Sequence, residues 1–252
     1  MFAVFVTGTA GSGKSLLTSK LMQWYNDLGA YPACLNLDPG VVSLPYEPDL
    51  DVRDYIDIND LMANHHLGPN GSLVVASDMI AARLAELQNE IDVLNPDYLI
   101  IDTPGQIELF AFRASGPYFV SNLQAEGKAA IFAFDAAVVS NPINFVSISL
   151  LAASVRLRLK TAQINVLTKT DLVPEKLREI LGWSSSIASL ESALDQEKNG
   201  EYSLLSKDLA RAIVRGGFAH TLIGVSGLTM SGLVNLSAAL ARILNQGEEV
   251  TG

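Results

Sequence analysis

Short apolar runs alternate with long amphipathic stretches along this chain. Six runs, at residues 2–7, 33–38, 98–102, 129–135, 163–168 and 221–225, place Ile, Val, Phe or Leu on successive positions. Apolar side chains on both faces are the mark of a strand covered on both sides, as in a parallel sheet. Between the runs, residues 14–27, 73–94, 143–159 and 230–244 carry helical spacing. Gly29 follows the first of these and Asn95-Pro96 stops the second. The alternation predicts an α/β fold of the P-loop NTPase type, a three-layer sandwich around a mostly parallel sheet with right-handed crossovers. Two stretches depart from the rhythm. Residues 39–71 are too long for a simple connection and suggest a functional segment. Residues 175–215 predict a helical insertion. The last strand and helix are needed to finish the sheet, so residues 1–252 are expected to form one domain.

Composition narrows the function classes. Of 252 residues, 49% are apolar and 17% charged, which excludes a largely disordered chain. Seventeen Lys and Arg against 27 Asp and Glu leave a net charge of −10. That field repels phosphate, so no nucleic acid and no membrane is expected as a direct partner. Cys34 is the one cysteine, which excludes an intrachain disulfide and a Cys-rich zinc site and suits an intracellular protein. The first residues lack the positive lead of a secretory signal. The longest apolar stretch, 129–155, is broken by Asp135, Asn141 and Asn144, short of the ~20 residues of a membrane helix. A soluble, cytoplasmic protein is the expectation.

The strongest chemical signal is Gly8-Thr9-Ala10-Gly11-Ser12-Gly13-Lys14-Ser15, a G-x-x-x-x-G-K-[ST] match between the first strand and the first helix. Glycines let successive backbone N–H groups converge on a phosphate, and the helix N-terminus adds partial positive charge. Ala10, Gly11, Ser12, Gly13, Lys14, Ser15 and Leu16 are the nucleotide-contact candidates. Lys14 would reach the terminal phosphates and Ser15 would hold Mg²⁺. The competing reading is a glycine turn before an ordinary helix.

Asp102 ends an apolar strand and Thr103-Pro104-Gly105-Gln106 follows. A carboxylate there suits the metal site, and Asp-x-x-Gly is the pattern whose glycine N–H senses a γ-phosphate. Gln106 would orient an attacking water and Glu108 would accept its proton, with a solvated helix position as the alternative for Glu108. Asp38 closes the second strand and falls on the phosphate side if that strand is parallel to its neighbour. Its other reading is a turn acid before Pro39.

Base selection rests on Thr168-Lys169-Thr170-Asp171 after the fifth strand, which resembles the Asn-Lys-x-Asp guanine signature. The Asp171 carboxylate would accept from guanine N1–H and its 2-amino group, neither of which adenine offers there. Lys169 would lie over the purine by its aliphatic stem. Thr168 stands where the signature has Asn. Ser226, in Val225-Ser226-Gly227, is the candidate second base contact, with a plain strand-to-helix turn as the alternative.

With these elements stand Gly68-Pro69-Asn70, Leu37-Asp38-Pro39, Pro45-Tyr46-Glu47-Pro48, Asp51-Val52-Arg53 and Asp102-Thr103-Pro104-Gly105-Gln106-Ile107-Glu108. The ordered series across residues 8–171 is similar to the GPN-loop GTPases, named for the Gly-Pro-Asn tripeptide; the likeness fades through 184–202. The resemblance implies a GTP hydrolase that works as a dimer, with each loop Gly68, Pro69, Asn70 inserted toward the partner's site. Carried over, Asn70 contacts phosphate across the interface in the manner of an arginine finger. Asp102, Gln106 and Glu108 position the water and Ser15 is the direct Mg²⁺ ligand, beside the strand-end readings of Asp38 as an aid to hydrolysis and Asp102 as a holder of Mg²⁺-bound water. Eukaryotic relatives act in RNA polymerase assembly and nuclear import, so that machinery is a client by resemblance; this chain looks more like the archaeal, homodimeric branch. It departs from the family at Thr168 and at Val225-Ser226-Gly227, where many relatives have Ser-Ala-Lys.

Other residues carry less. His65 and His66 diverge as neighbours and lack a third ligand, which favours an exposed pair. Arg53 reads equally as a second phosphate cation, part of a moving switch, or a surface ion pair. Leu150, Leu151, Val155 and Leu159 read as either a core or a dimer face. A small-molecule kinase and a non-catalytic nucleotide-binding scaffold remain the rival functions. The kinase would need lid arginines, for which 196–215 offers only Arg211 and Arg215.

Overall fold

The computed structural model describes residues 1–197, 200–218 and 221–245. Strand β1 (Phe2–Gly8) leads through the phosphate loop into α1 (Lys14–Asp27) and then β2 (Pro32–Asn36). A loop, the short β3 (Leu50–Asp51), a 3-10 turn (Val52–Asp54) and α2 (Ile58–His65) follow. Next come α3 (Pro69–Ala82), α4 (Leu84–Leu94), β4 (Tyr98–Asp102), α5 (Ile107–Phe110), α6 (Ser115–Asn122), β5 (Gly127–Asp135) and α7 (Pro142–Leu159). Then β6 (Ala162–Thr168) precedes α8 (Leu177–Ser185), α9 (Ile187–Asp195) and α10 (Gly200–Arg215). The short β7 (Ile223–Gly224) and α11 (Leu233–Leu244) complete the order.

All seven strands are parallel, in the order β3-β2-β4-β1-β5-β6-β7. This is the expected α/β sandwich. Strand β1 shows why the pattern was so apolar: Phe2, Val4 and Val6 face one core, Ala3 and Phe5 the other. Helices α1 and α11 cover the first face through Leu17, Leu21, Tyr25, Leu236 and Leu240. Tyr25 stacks on Tyr98 with ring centroids 4.0 Å apart. The opposite face carries α3 to α7 and, outside them, α8 to α10.

Local differences from the expected boundaries have physical causes. The second strand stops at Asn36 rather than Asp38. The Asn36 side chain donates to the Asp38 carbonyl (3.2 Å) and accepts from its N–H (3.0 Å), bending the chain out of the sheet. The stretch 73–94 is two helices, parted at Arg83 (φ −90°, ψ 8°), and it begins earlier, with Pro69 in the first turn after the extended Gly68. Gly-Pro-Asn is therefore a helix start. The last helix begins at Leu233, after Gly232 (φ 84°); a Cβ there would sit 1.9 Å from the Gly224 carbonyl oxygen.

The stretch 175–215 is helical where described, and its polar piece 196–202 lies partly outside the described residues. Val155 and Leu159 are buried, and Leu150 and Leu151 pack partly buried beside them, so this face of α7 serves the core. Among the described residues α7 is also the one helix long and apolar enough to cross a membrane by length and composition, although its sequence stretch, broken by Asn141 and Asn144, is expected to fall short of that limit. Here it lies over the sheet, against α6, α9 and α10.

Candidate active site

The carboxyl ends of β1, β2, β4, β5 and β6 share one edge of the sheet, where ligands of open α/β folds bind. There the chain leaves β1 and turns into α1. Gly13 caps α1 in the left-handed region (φ 85°, ψ 20°), and no side chain caps the helix. The N–H groups of its first turn are left for an anion, with no acidic residue in that turn to compete. Lys14 is 6% exposed, and its ammonium donates to the Thr9 carbonyl (2.9 Å) within the loop. Burial lowers its pKa, opposed by the negative charges of Asp102 and Asp38.

Asp102 closes β4 beside the loop, 2% exposed. Its Oδ2 accepts from the Tyr46 hydroxyl at 2.9 Å, while Oδ1 has no hydrogen-bond partner. The Ser15 hydroxyl lies beside the same carboxylate. Burial raises the Asp102 pKa, countered by the Ser15 and Tyr46 hydroxyls and the Lys14 charge, and assisted by the repulsion of Asp38. An orphaned carboxylate oxygen next to a hydroxyl is a pair of hard oxygen donors, which fits Mg²⁺ with phosphate and water completing the shell. No cluster of three or more His, Cys, Asp or Glu suited to a metal occurs among the described residues.

Gly105 stands against Ala10 of the phosphate loop. Its N–H, the expected γ-phosphate sensor, donates to Asp38 Oδ2 at 3.2 Å. Asp38 Oδ1 accepts from the Gly40 N–H at 3.0 Å. Asp38 thus joins the site and also makes the turn expected of an acid before Pro39. Gln106 and Glu108 are exposed at the start of α5, next to Gly105, and neither side chain has a hydrogen-bond or ion-pair partner among the described residues. Gly68, Pro69 and Asn70 are exposed at the start of α3, and no side-chain hydrogen bond ties them to the phosphate loop within this chain.

The end expected to take the base is built from β6, β7 and α1. A cavity of about 220 Å³ is lined by Gly13, Leu16, Lys169, Asp171, Val225 and Leu228. Asp171 Oδ1 accepts from the Ser226 hydroxyl at 2.6 Å. Ser226 is thereby placed as the support of Asp171. The Thr168 hydroxyl is spent elsewhere, donating to the carbonyls of Ser12 (2.7 Å) and Phe134 (3.0 Å). It ties β6 to the phosphate loop, so Thr168 lines the cavity without a free hydroxyl proton to offer there. Lys169 (φ 56°) donates to the Gly11 carbonyl and pairs with Asp135, both at 2.6 Å.

Two participants, Tyr46 and Asp135, carry no assigned role in the sequence pattern. Tyr46 lay within a quoted motif but had no role. Asp135, the last residue of β5, had only been a strand end. Arg53 resolves as an ion pair: its guanidinium holds Asp51 (Nη2 to Oδ2, 2.6 Å) and donates to the Val41 carbonyl (3.1 Å). His65 and His66 are exposed at the end of α2. Arg211 pairs with Glu191 and Asp208 on the insertion, so it is no free lid arginine. A larger cavity of about 310 Å³ between α7 and the insertion is lined, among the described residues, by no titratable side chain.

The family model described as "Conserved hypothetical ATP binding protein" matches residues 6–246. The GPN-loop GTPase PAB0955 of Pyrococcus abyssi is 36% identical over 181 residues, 71% of this chain and 71% of that protein. The GPN-loop GTPase 3 of Saccharomyces cerevisiae is 31% identical over 227 residues, 87% of this chain and 84% of that protein. The crystal structure of the Pyrococcus abyssi protein, a GTPase in apo form, superposes with a TM-score of 0.84 at 30% identity, covering 96% of this chain and 97% of that one.

Proposed function

The chain belongs to the GPN-loop GTPases, and we propose from that premise that it binds GTP with Mg²⁺ and hydrolyses it to GDP and phosphate as a homodimeric conformational switch. Its class is that of a GTP-binding hydrolase. One observation carries the reading to this chain's own residues. The open helix start at Lys14, the orphaned oxygen of Asp102 and the Asp171 cavity all lie on one sheet edge.

The family model's description names ATP and the relatives' names say GTP. The base cavity favours guanine. Asp171 is held by Ser226 and keeps acceptor capacity for N1–H and the 2-amino group, donors that adenine lacks there. Lys169, tethered at its tip to Gly11 and Asp135, offers its stem to the purine face.

On binding, the first-turn N–H groups of α1 take the phosphates, and the Lys14 ammonium exchanges the Thr9 carbonyl for the terminal phosphates. Ser15 and Asp102 would hold Mg²⁺, whose charge offsets that of the β- and γ-phosphates. The Gly105 N–H releases Asp38 to meet the γ-phosphate. Asp38 is then free to help align the water together with Gln106 and Glu108. Because residues 38–56 are attached through this contact and through Tyr46, γ-phosphate loss would let the segment return.

Asn70 is proposed to act in trans. Its amide is exposed and makes no hydrogen bond among the described residues, which suits a group that completes a neighbour's site. Mixing tests this. Asn70→Ala and Lys14→Ala proteins should each turn over poorly, yet recover activity on mixing, because hybrid dimers contain one site with an intact Lys14 and a partner's intact Asn70. No recovery, with subunit exchange verified, removes the trans role. A cytoplasmic location and a client in RNA polymerase assembly belong to the same proposal and rest on the family resemblance and the single thiol.

A further inference from the structure

Pro45-Tyr46-Glu47-Pro48 has no task once the phosphates, the metal and the base have been assigned. The loop that carries it is pinned at several points. Arg53, itself clamped on Asp51, holds the Val41 carbonyl at 3.1 Å. The Ser19 hydroxyl of α1 reaches the Pro45 carbonyl at 3.3 Å. Cys34 and Asp49 bond each other, N–H to Oδ2 at 2.7 Å and N–H to carbonyl at 3.0 Å. From this anchored loop a single phenol dips inward to Asp102 Oδ2, with the Cys34 thiol as its other polar neighbour.

The geometry points to Tyr46 as the positioning residue of the metal site: its hydroxyl holds Oδ2 of Asp102, so that Oδ1 is the oxygen left free for the divalent cation on a carboxylate that also has the Ser15 hydroxyl beside it. This rests on the reading that Asp102 and Ser15 hold Mg²⁺. A carboxylate on one torsion turns easily, and a hydrogen bond to one oxygen fixes which oxygen faces the ligand. The asymmetry is visible here, since Oδ2 is engaged and the buried Oδ1 is not. Tyr46 touches neither phosphate nor water in this scheme and acts only through Asp102. Removing a phenol that merely satisfied its own polarity would leave metal affinity unchanged, and removing one that blocked the cation would raise it.

The test uses the whole chain loaded with a fluorescent, non-hydrolysable GTP analogue. Nucleotide release is followed against free Mg²⁺, and bound Mn²⁺ is counted by electron paramagnetic resonance. For Tyr46→Phe, which keeps the ring, the Mg²⁺ midpoint should rise about tenfold, in the range of lost outer-shell partners of metal ligands. Nucleotide affinity at saturating Mg²⁺ should stay within about twofold. Arg53→Ala, which loosens the loop and leaves the phenol, should shift the midpoint the same way by less. A Tyr46→Phe midpoint equal to or below that of the unsubstituted protein overturns the inference while leaving the GTPase reading intact. An unsubstituted protein with no Mg²⁺ response removes the metal assignment itself, and the inference with it.

Discussion

Replacing Asp171 by Asn tests base recognition at its narrowest point. In the structure one carboxylate oxygen is bonded by Ser226 at 2.6 Å, and the group faces the cavity lined by Leu16 and Lys169. Guanine would donate two hydrogen bonds to this carboxylate. Hydrogen bonds to a charged partner contribute about 1.5–3 kcal/mol each. In Asp171→Asn the Ser226 hydroxyl can still donate to the amide oxygen, which turns the amide NH₂ toward the purine. That NH₂ opposes the guanine 2-amino group, donor against donor. The net loss should be about 3–4 kcal/mol, or roughly 10²–10³-fold in affinity for GTP. Xanthine carries a carbonyl where guanine carries the amine, so XTP regains the contact. Competition of GTP and XTP against a fluorescent nucleotide, with Mg²⁺ present, should therefore invert between the two proteins. A variant that loses GTP without gaining relative XTP affinity would refute Asp171 as the base reader, and unchanged GTP binding would do so outright.

Further predictions follow from the other contacts. Asn70→Ala should leave GTP affinity within about twofold and slow single-turnover hydrolysis by about tenfold or more, as for a lost charge-stabilising donor; unchanged hydrolysis contradicts the trans loop. Asp38→Ala removes the carboxylate from the Gly105 N–H, so the affinity ratio of a γ-thio GTP analogue to GDP should rise about threefold, given one part-buried hydrogen bond of about 0.5–1 kcal/mol. The same variant should hydrolyse GTP more slowly, and a falling affinity ratio would show that Asp38 does not compete for Gly105. Cys34 is fully buried on β2, and burial pushes its thiol pKa up, so Ellman's reagent should react only as the protein unfolds; prompt reaction of the folded protein would contradict the packing around Tyr46.

The sheet was legible because its strands are apolar on both faces and each is flanked by helical spacing. The phosphate loop was legible because its residues need a fixed strand-loop-helix frame, which β1 and α1 supply. Asp102 followed from its place at the end of such a strand. What escaped was long-range. Tyr46 meets Asp102 across 56 positions and Asp38 meets Gly105 across 67, through a loop with no hydrophobic period to reveal its path. Thr168 shows the limit of a motif: it ends β6 where the spacing predicts, but its hydroxyl bonds the carbonyls of Ser12 and Phe134, so the position ties loops together. The start of α3 at Pro69 had a local signal, since proline suits the first helical turn. The break at Arg83 had none, because neither glycine nor proline marks it.

Equilibrium competition of GTP and ATP for one bound fluorescent nucleotide, with Mg²⁺ present, tests the central claim most directly. The account predicts a preference for GTP of at least about a hundredfold, set by two hydrogen bonds on Asp171 that adenine cannot make. Equal affinity, or a preference for ATP, would contradict the GTPase assignment while leaving the phosphate loop in place.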